Sequence, residues 1–144
     1  MGEKYKFYTP VRVRYADTDA QGHVFFSNYL VYFDQGLTDY LKAVDYSYDK
    51  LLQDGIDFFY VDAQCSYKGS ARFDEVLNVH ARITHIGNTS FTFRFSIYKA
   101  ETEEFIASGR ITAVAVSVET RRPVPVPEGL RRAVEAYEGE PLPA

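Results

Sequence analysis

Apolar and polar residues alternate along this chain with two different periods, and each change of period marks a new element. Val11, Val13 and Tyr15 alternate with Arg12 and Arg14, which predicts a short strand with one buried face. From about Ser27 the spacing lengthens. Tyr29, Tyr32, Phe33, Leu37, Tyr40 and Leu41 recur at helical steps and form one face of an amphipathic helix that Ser27 or Asn28 can cap. A second, short helix is expected in SYDKLLQDG, capped by Ser47 and stopped by Gly55. Beyond Ile56 the period returns to two. Phe59, Val61, Ala63, Cys65 and Tyr67 make one face of a long strand, Leu77, Val79, Ala81 and Ile83 a face of the next, and Phe91, Phe93, Phe95 and Ile97 a face of a third. The last strand, Ile106 to Val118, is apolar on both faces near its end, the mark of a central strand or of an edge used in assembly. The short polar connectors GSARFDE, IGNTS and KAETEE predict antiparallel neighbours in a meander. A proline-punctuated exit, RRPVPVPEG, leads to a short helix around LRRAVEAY and a frayed tail, GEPLPA.

The outline is therefore α+β: a strand, a long helix, then four long antiparallel strands. A strongly curved sheet wrapping the helix accounts for aromatic bulk on most inward positions of that helix. An open five-stranded sheet keeps two edges, so a homodimer or homotetramer is expected, with the functional site near a subunit boundary.

With 144 residues the chain fits one domain, residues 1–144, and its 46% hydrophobic content is enough for a core of that size. The formal net charge of −4 provides no global field for nucleic acid, so an anionic ligand would need a local basic patch. Cys65 is the only cysteine, which excludes an intrachain disulfide and makes a reducing cytoplasm the default. No apolar signal core or membrane-length apolar stretch is present, so neither secretion nor membrane insertion is expected.

The densest polar cluster is RYADTDAQGHVFFSN, where the first strand meets the helix. It contains Asp17, Asp19, Gln21, Gly22, His23, Ser27 and Asn28. The first-turn N–H groups of the helix lack intrahelical partners and carry the positive end of its dipole, so they can stabilise an oxyanion. A carboxylate beside such donors is equipped for acyl transfer, as nucleophile or as general base, with no metal or cofactor. From spacing alone, turn formation is the commoner role for Asp17 and Asp19 and outweighs catalysis.

DTDAQGHVFFSNYLVYF resembles the signature of the 4-hydroxybenzoyl-CoA thioesterase group of hotdog proteins, which includes the Tol-Pal-associated acyl-CoA thioesterases. FFYVDAQCSYKGSARFDEVLNVHARI, IGNTSFTFRFSIY and the closing strand with TRRPVPVPEGL follow the same family in order, so the resemblance runs from about Thr9 to Leu130. It implies a hotdog fold, a curved antiparallel sheet around one long helix, and an acyl-CoA thioester hydrolase. Asp19 matches the family's catalytic carboxylate, and the backbone N–H near Phe26 matches the group that polarises the thioester carbonyl. Where some members carry His, this chain has Phe26; His23 follows Gly22 instead, as an orienting or proton-transfer residue or as loop structure. Asp17 is expected to orient the loop by hydrogen bonds to backbone or to Asn28. Tyr29 and Tyr32 are candidates for lining the acyl pocket. Lys68, Arg72, Arg121 and Arg122 are candidates for the coenzyme A phosphates, and Ser90 resembles a position near the thioester or pantetheine. Cys65 reads as a buried inert thiol, and His80 and His85 as strand surface. Two alternatives remain beside hydrolysis: a hotdog hydratase or dehydratase, and a non-catalytic acyl-CoA-binding protein.

Overall fold

The computed structural model describes residues 4–143. Residues 1–3 and 144, which the single-domain reading includes, lie outside the described residues. The order is β1 (Phe7–Arg12), a single 3-10 turn (Tyr15–Asp17), α1 (Asn28–Ala43), α2 (Tyr48–Gln53), β2 (Ile56–Tyr67), β3 (Val76–Ile86), β4 (Ser90–Lys99), β5 (Phe105–Ser117) and α3 (Glu128–Glu138). The five strands form one antiparallel sheet in the order β1-β3-β4-β5-β2. This is the hotdog arrangement, with α1 against the inner face of the sheet.

The alternation expected for β3 and β4 is present, because Leu77, Val79, Ala81, Ile83, Phe91, Phe93, Phe95 and Ile97 are all buried. Their inner face meets the aromatic face of α1. Phe33 stacks on Phe95 with ring centroids 4.6 Å apart, and Tyr40 meets Phe93 edge-on at 6.2 Å. Such pairs contribute about 0.5–1.5 kcal/mol each beyond the area they bury. β5 is interior, between β4 and β2, which accounts for its two apolar faces.

Only β3, β4 and β5 form the expected meander. The segment GSARFDE does not join neighbours, since β2 pairs with β5 at the far edge of the sheet. The crossing from β2 to β3 passes over β5 and β4, about 14 Å at ordinary strand spacing. The eight residues 68–75 cover that distance easily at about 3.3 Å each. Connector length is compatible with either topology.

The inner face of β2 also differs from expectation. Its register with β5 pairs Tyr60 with Ala113 and Asp62 with Thr112, leaving Val61 as an extra residue. One inserted residue reverses the parity of a strand. Phe58 and Tyr60 therefore share the inner face with Ala63, Cys65 and Tyr67, while Phe59 turns to the outer face.

The tail is held rather than frayed: Ile86 N donates to Pro143 O (3.1 Å) and Leu142 N to Glu135 Oε2 (3.1 Å). His80 is not simple strand surface. It is half-buried among the rings of Tyr5, Tyr8 and Tyr98, at 5.7, 5.2 and 5.5 Å, and this burial lowers its pKa below the ordinary histidine value. His85 is exposed, as expected. Among the described residues no helix is long and apolar enough to cross a membrane.

Candidate active site

The segment between β1 and α1 is built on Asp17. The 3-10 turn points its carboxylate inward, leaving it 5% exposed. Asp17 Oδ2 accepts from Arg14 N (3.0 Å) and from the Tyr32 hydroxyl (2.9 Å), and Oδ1 accepts from Arg14 Nη2 (2.9 Å). The Asp17 main-chain carbonyl accepts from Asn28 Nδ2 and from Phe25 N, both at 2.9 Å. Asn28 is the expected partner; Arg14 and Tyr32 are the additional ones. Burial alone would raise the Asp17 pKa, but the Arg14 side chain and backbone and the Tyr32 hydroxyl outweigh it and hold the carboxyl below the usual range.

That depressed pKa fixes a pH signature. The stability Asp17 contributes is present above the unfolded carboxyl value and is lost as pH falls through the lower, folded value. Tyr32→Phe is expected to cost about 1–2 kcal/mol at neutral pH by removing one donor from a buried carboxylate. The gap in Tm between variant and wild type should narrow once Asp17 is protonated. Melting curves from pH 7 down to pH 3 check this, and a gap unchanged over that range contradicts it.

Beyond Asp17 the chain forms a miniature hairpin that the sequence presents only as a loop. Thr18 bridges Val24, Asp19 N donates to His23 O (3.0 Å), and Gly22 N donates to Asp19 O (2.9 Å). Gly22 closes the turn at φ +86, a left-handed conformation that glycine adopts without strain. Asp19 stands at the tip, half-buried. Its Oδ1 accepts from Gln21 N (2.9 Å), and among the described residues its Oδ2 has no hydrogen-bond donor. Asp19 is thus a turn residue that still presents a carboxylate oxygen. Val24 N donates to Ala71 O (2.8 Å) and His23 bridges Arg72, which tie the hairpin to the crossover segment 68–75.

The hairpin returns directly into α1. The Phe26 carbonyl accepts from the Tyr67 hydroxyl (2.9 Å), which fixes this peptide against the end of β2. The Ser27 side chain makes no capping bond, and among the described residues the N–H groups of Phe26 and Ser27 have no hydrogen-bond acceptor. They lie at the positive end of a 16-residue helix.

Tyr29 and Tyr32 are buried, at 2% and 3% exposure, and both hydroxyls serve the scaffold. That of Tyr32 donates to Asp17, and that of Tyr29 accepts from Ala71 N (3.2 Å). Lys68 and Arg72 sit on the crossover beside the hairpin, and Arg72 Nη1 reaches Gly22 O at 3.5 Å. Ser90, Arg121 and Arg122 are elsewhere. Ser90 pairs with Val114, which pairs with Phe59, and the Arg121 guanidinium lies 4.7 Å over the Phe59 ring. From Phe59 to Tyr67 along β2 is about 26 Å at strand rise. Within one chain these three residues are therefore not brought together with Asp19. Burial pushes the Cys65 thiol up, which keeps it protonated at neutral pH.

Two hollows were not foreseen. An open groove of about 650 Å³ runs beside Asp19, lined by Tyr15, Thr18, Ala20, Gly22 and Phe73. A cleft of about 410 Å³ lies at the other end of β2, between Asp34, Thr38 and Leu41 of α1 and Phe58 and Tyr60 of β2. Its phenols are paired with carboxylates, Tyr60 with Asp34 and Tyr48 with Asp57. The signal for this cleft was the aromatic run Phe58-Phe59-Tyr60, whose facing the bulge decides.

The thioesterase-like superfamily matches residues 13–134. The chain belongs to that superfamily. The chain is 28% identical to the acyl-CoA thioester hydrolase YbgC of Escherichia coli, over 86% of this chain and 92% of that protein. Its fold matches a gentisyl-coenzyme A thioesterase at a TM-score of 0.80 and 26% identity, covering 89% of this chain and 99% of that one. It also matches the Synechocystis 1,4-dihydroxy-2-naphthoyl-CoA thioesterase at a TM-score of 0.80 and 23% identity, over 89% and 94% of the two chains, a likeness of fold. Superfamily membership covers the hairpin, α1 and the whole sheet apart from β1.

Proposed function

We propose that this chain is a cytoplasmic, single-domain acyl-CoA thioesterase in which Asp19 drives hydrolysis of the thioester. The observation that carries the proposal is the half-buried Asp19 carboxylate, with one oxygen unengaged, on the same short segment as the acceptor-free Phe26 N–H at the start of α1. In the general-base route Asp19 takes a proton from water and the resulting hydroxide attacks the carbonyl carbon. The oxyanion is held by the helix-start N–H groups, the C–S bond breaks, and the proton passes to the departing thiolate. In the nucleophilic route the carboxylate attacks first, expels the thiolate, and water hydrolyses the mixed anhydride. His23 acts through its main-chain carbonyl, which fixes Asp19 N. A single free cysteine, Cys65, is compatible with a reducing compartment. A panel of aromatic, short-chain and medium-chain acyl-CoA esters, followed by thiol release, tests the activity; no release from any of them contradicts it.

The working form is a homodimer or a homotetramer built from it. β2 is an unpaired edge of twelve residues on which Phe59, Tyr60, Val61 and Tyr67 are 43–59% exposed. A long apolar edge of this kind is ordinarily covered. Antiparallel pairing of two β2 strands about a two-fold axis brings the partner subunit's Phe58–Tyr60 end, with its cleft and Arg121, beside the Asp19 hairpin. Residues that are about 26 Å apart along β2 in one chain thereby meet across the boundary. Val61→Asp puts a charge into the apolar edge along which the two strands would pair. It is expected to give a folded monomer by light scattering with at least tenfold lower activity, since one subunit holds only part of the site. A fully active Val61→Asp dimer contradicts the arrangement.

A further inference from the structure

We infer that Tyr67 is a positioning residue for the oxyanion: its hydroxyl holds and polarises the Phe26–Ser27 peptide, so that the Ser27 N–H becomes a strengthened donor to the thioester carbonyl. The inference rests on the proposed thioesterase function and adds to it a side chain from the far end of β2. The main chain around the start of α1 is nearly self-sufficient. Phe25 O accepts from Asn28 N (2.8 Å) and Ser27 O from Leu30 N (3.1 Å). Between them the Phe26 carbonyl is taken by the Tyr67 hydroxyl at 2.9 Å, a bond from a residue 41 positions away in the chain.

What that bond does follows from the chemistry of the peptide unit. A trans peptide points its C=O and its N–H in opposite directions, and no peptide bond among the described residues is cis. Tyr67 therefore acts on one end of a unit whose other end, the Ser27 N–H, has no hydrogen-bond acceptor among the described residues. A donor on the carbonyl oxygen draws electron density away from the amide nitrogen and makes its N–H a better donor. Hydrogen bonds in series strengthen one another in this way by about 10–30% per bond. The aim of the hydroxyl is set independently of the bond it makes. The Tyr67 ring meets those of Phe26 and Tyr29 edge-on, with centroids 6.3 and 5.7 Å apart, and Tyr29 is itself buried and fixed by Ala71 N. Burial first, and a hydrogen bond with the Cys65 side chain second, push the Tyr67 phenol up to about 12, so it stays protonated and able to donate at neutral pH.

Tyr67→Phe keeps the ring and its two contacts and removes only the hydroxyl. An oxyanion donor contributes roughly a hundredfold to a thousandfold to kcat, so weakening one by the fraction above is expected to lower kcat roughly fivefold. KM should stay within about twofold, because the gain is realised in the transition state. Thermal melts and light scattering confirm that the variant is folded and assembled like wild type. The second readout is the carbonyl stretch of a ¹³C=O-labelled acyl-CoA bound to Asp19→Asn, by difference infrared spectroscopy. The band is expected at lower frequency in Asp19→Asn than in Tyr67→Phe/Asp19→Asn, whereas a strut that merely ties β2 to α1 would leave it in place. A Tyr67→Phe kcat within about twofold of an active wild type, or coincident carbonyl bands, overturns the inference and leaves the thioesterase reading standing. A wild type that hydrolyses no acyl-CoA refutes that reading, and this inference with it.

Discussion

Gly109→Ala is expected to lower the Tm by roughly 10 °C, at about 3–4 °C per kcal/mol for a chain of this size. A Cβ at this position would stand 2.0 Å from Gln64 O and 2.6 Å from Phe33 Cε2. Neither neighbour can give way cheaply. Gln64 O is backbone of β2, facing Gly109 and its neighbours on β5, and Phe33 is locked by its stack on Phe95 at 4.6 Å. Overpacking of a filled core costs about 1–3 kcal/mol, and more where backbone has to move. The least costly adjustment is for β2 to peel away from β5. That would carry off Tyr67, whose hydroxyl holds the Phe26 carbonyl, so activity should fall even below the melting transition. Thermal melts and thiol release measured on the same samples check both effects. A Tm within about 2 °C of wild type contradicts this account of the β2–β5 contact.

How far the fold can be read from the sequence depends on where each strand's partners lie. β3 and β4 have neighbours on both sides and α1 over one face, so the period of two runs unbroken through Leu77–Ile83 and Phe91–Ile97. The helix α1 is equally plain, because one sheet buries its whole aromatic face. β2 is harder. Phe58, Phe59, Tyr60 and Val61 are consecutive apolar residues that satisfy either facing, and only the bulge at Val61 decides between them. The crossover from β2 to β3 is just as ambiguous, since eight residues can turn back or step over two strands. The tail reads as frayed because its anchors, Ile86 N and Glu135 Oε2, come from other elements.

For the site, the spacing of Asp17, Asp19 and Gly22 marks the segment, and a half-buried turn carboxylate is what stands there. The division of labour between the two aspartates is not visible in the spacing. It follows from Tyr32, fifteen residues on, turning its hydroxyl onto Asp17 and leaving Asp19 at the hairpin tip. The distant placement of Ser90, Arg121 and Arg122 is a consequence of sheet topology, and in one chain no local pattern encodes it.

Asp19→Asn is the change with the largest expected effect on turnover. The amide keeps the shape of the side chain and an oxygen able to accept from Gln21 N, so the turn should survive and the Tm should stay close to wild type. What it loses is the capacity to take a proton or to attack as an anion. General-base catalysis by a positioned carboxylate contributes about a hundredfold to ten-thousandfold, and both proposed routes pass through this one group. Two nearby groups are not free to replace it: Asp17 is sealed by Arg14 and Tyr32, and Cys65 is held protonated by burial.

The most direct measurement is single-turnover thiol release from the best acyl-CoA of the panel, by wild type and by Asp19→Asn of matching Tm. The account predicts a rate constant lower by at least about a hundredfold in the variant. A variant rate within about tenfold of wild type would contradict the assignment of the chemistry to Asp19.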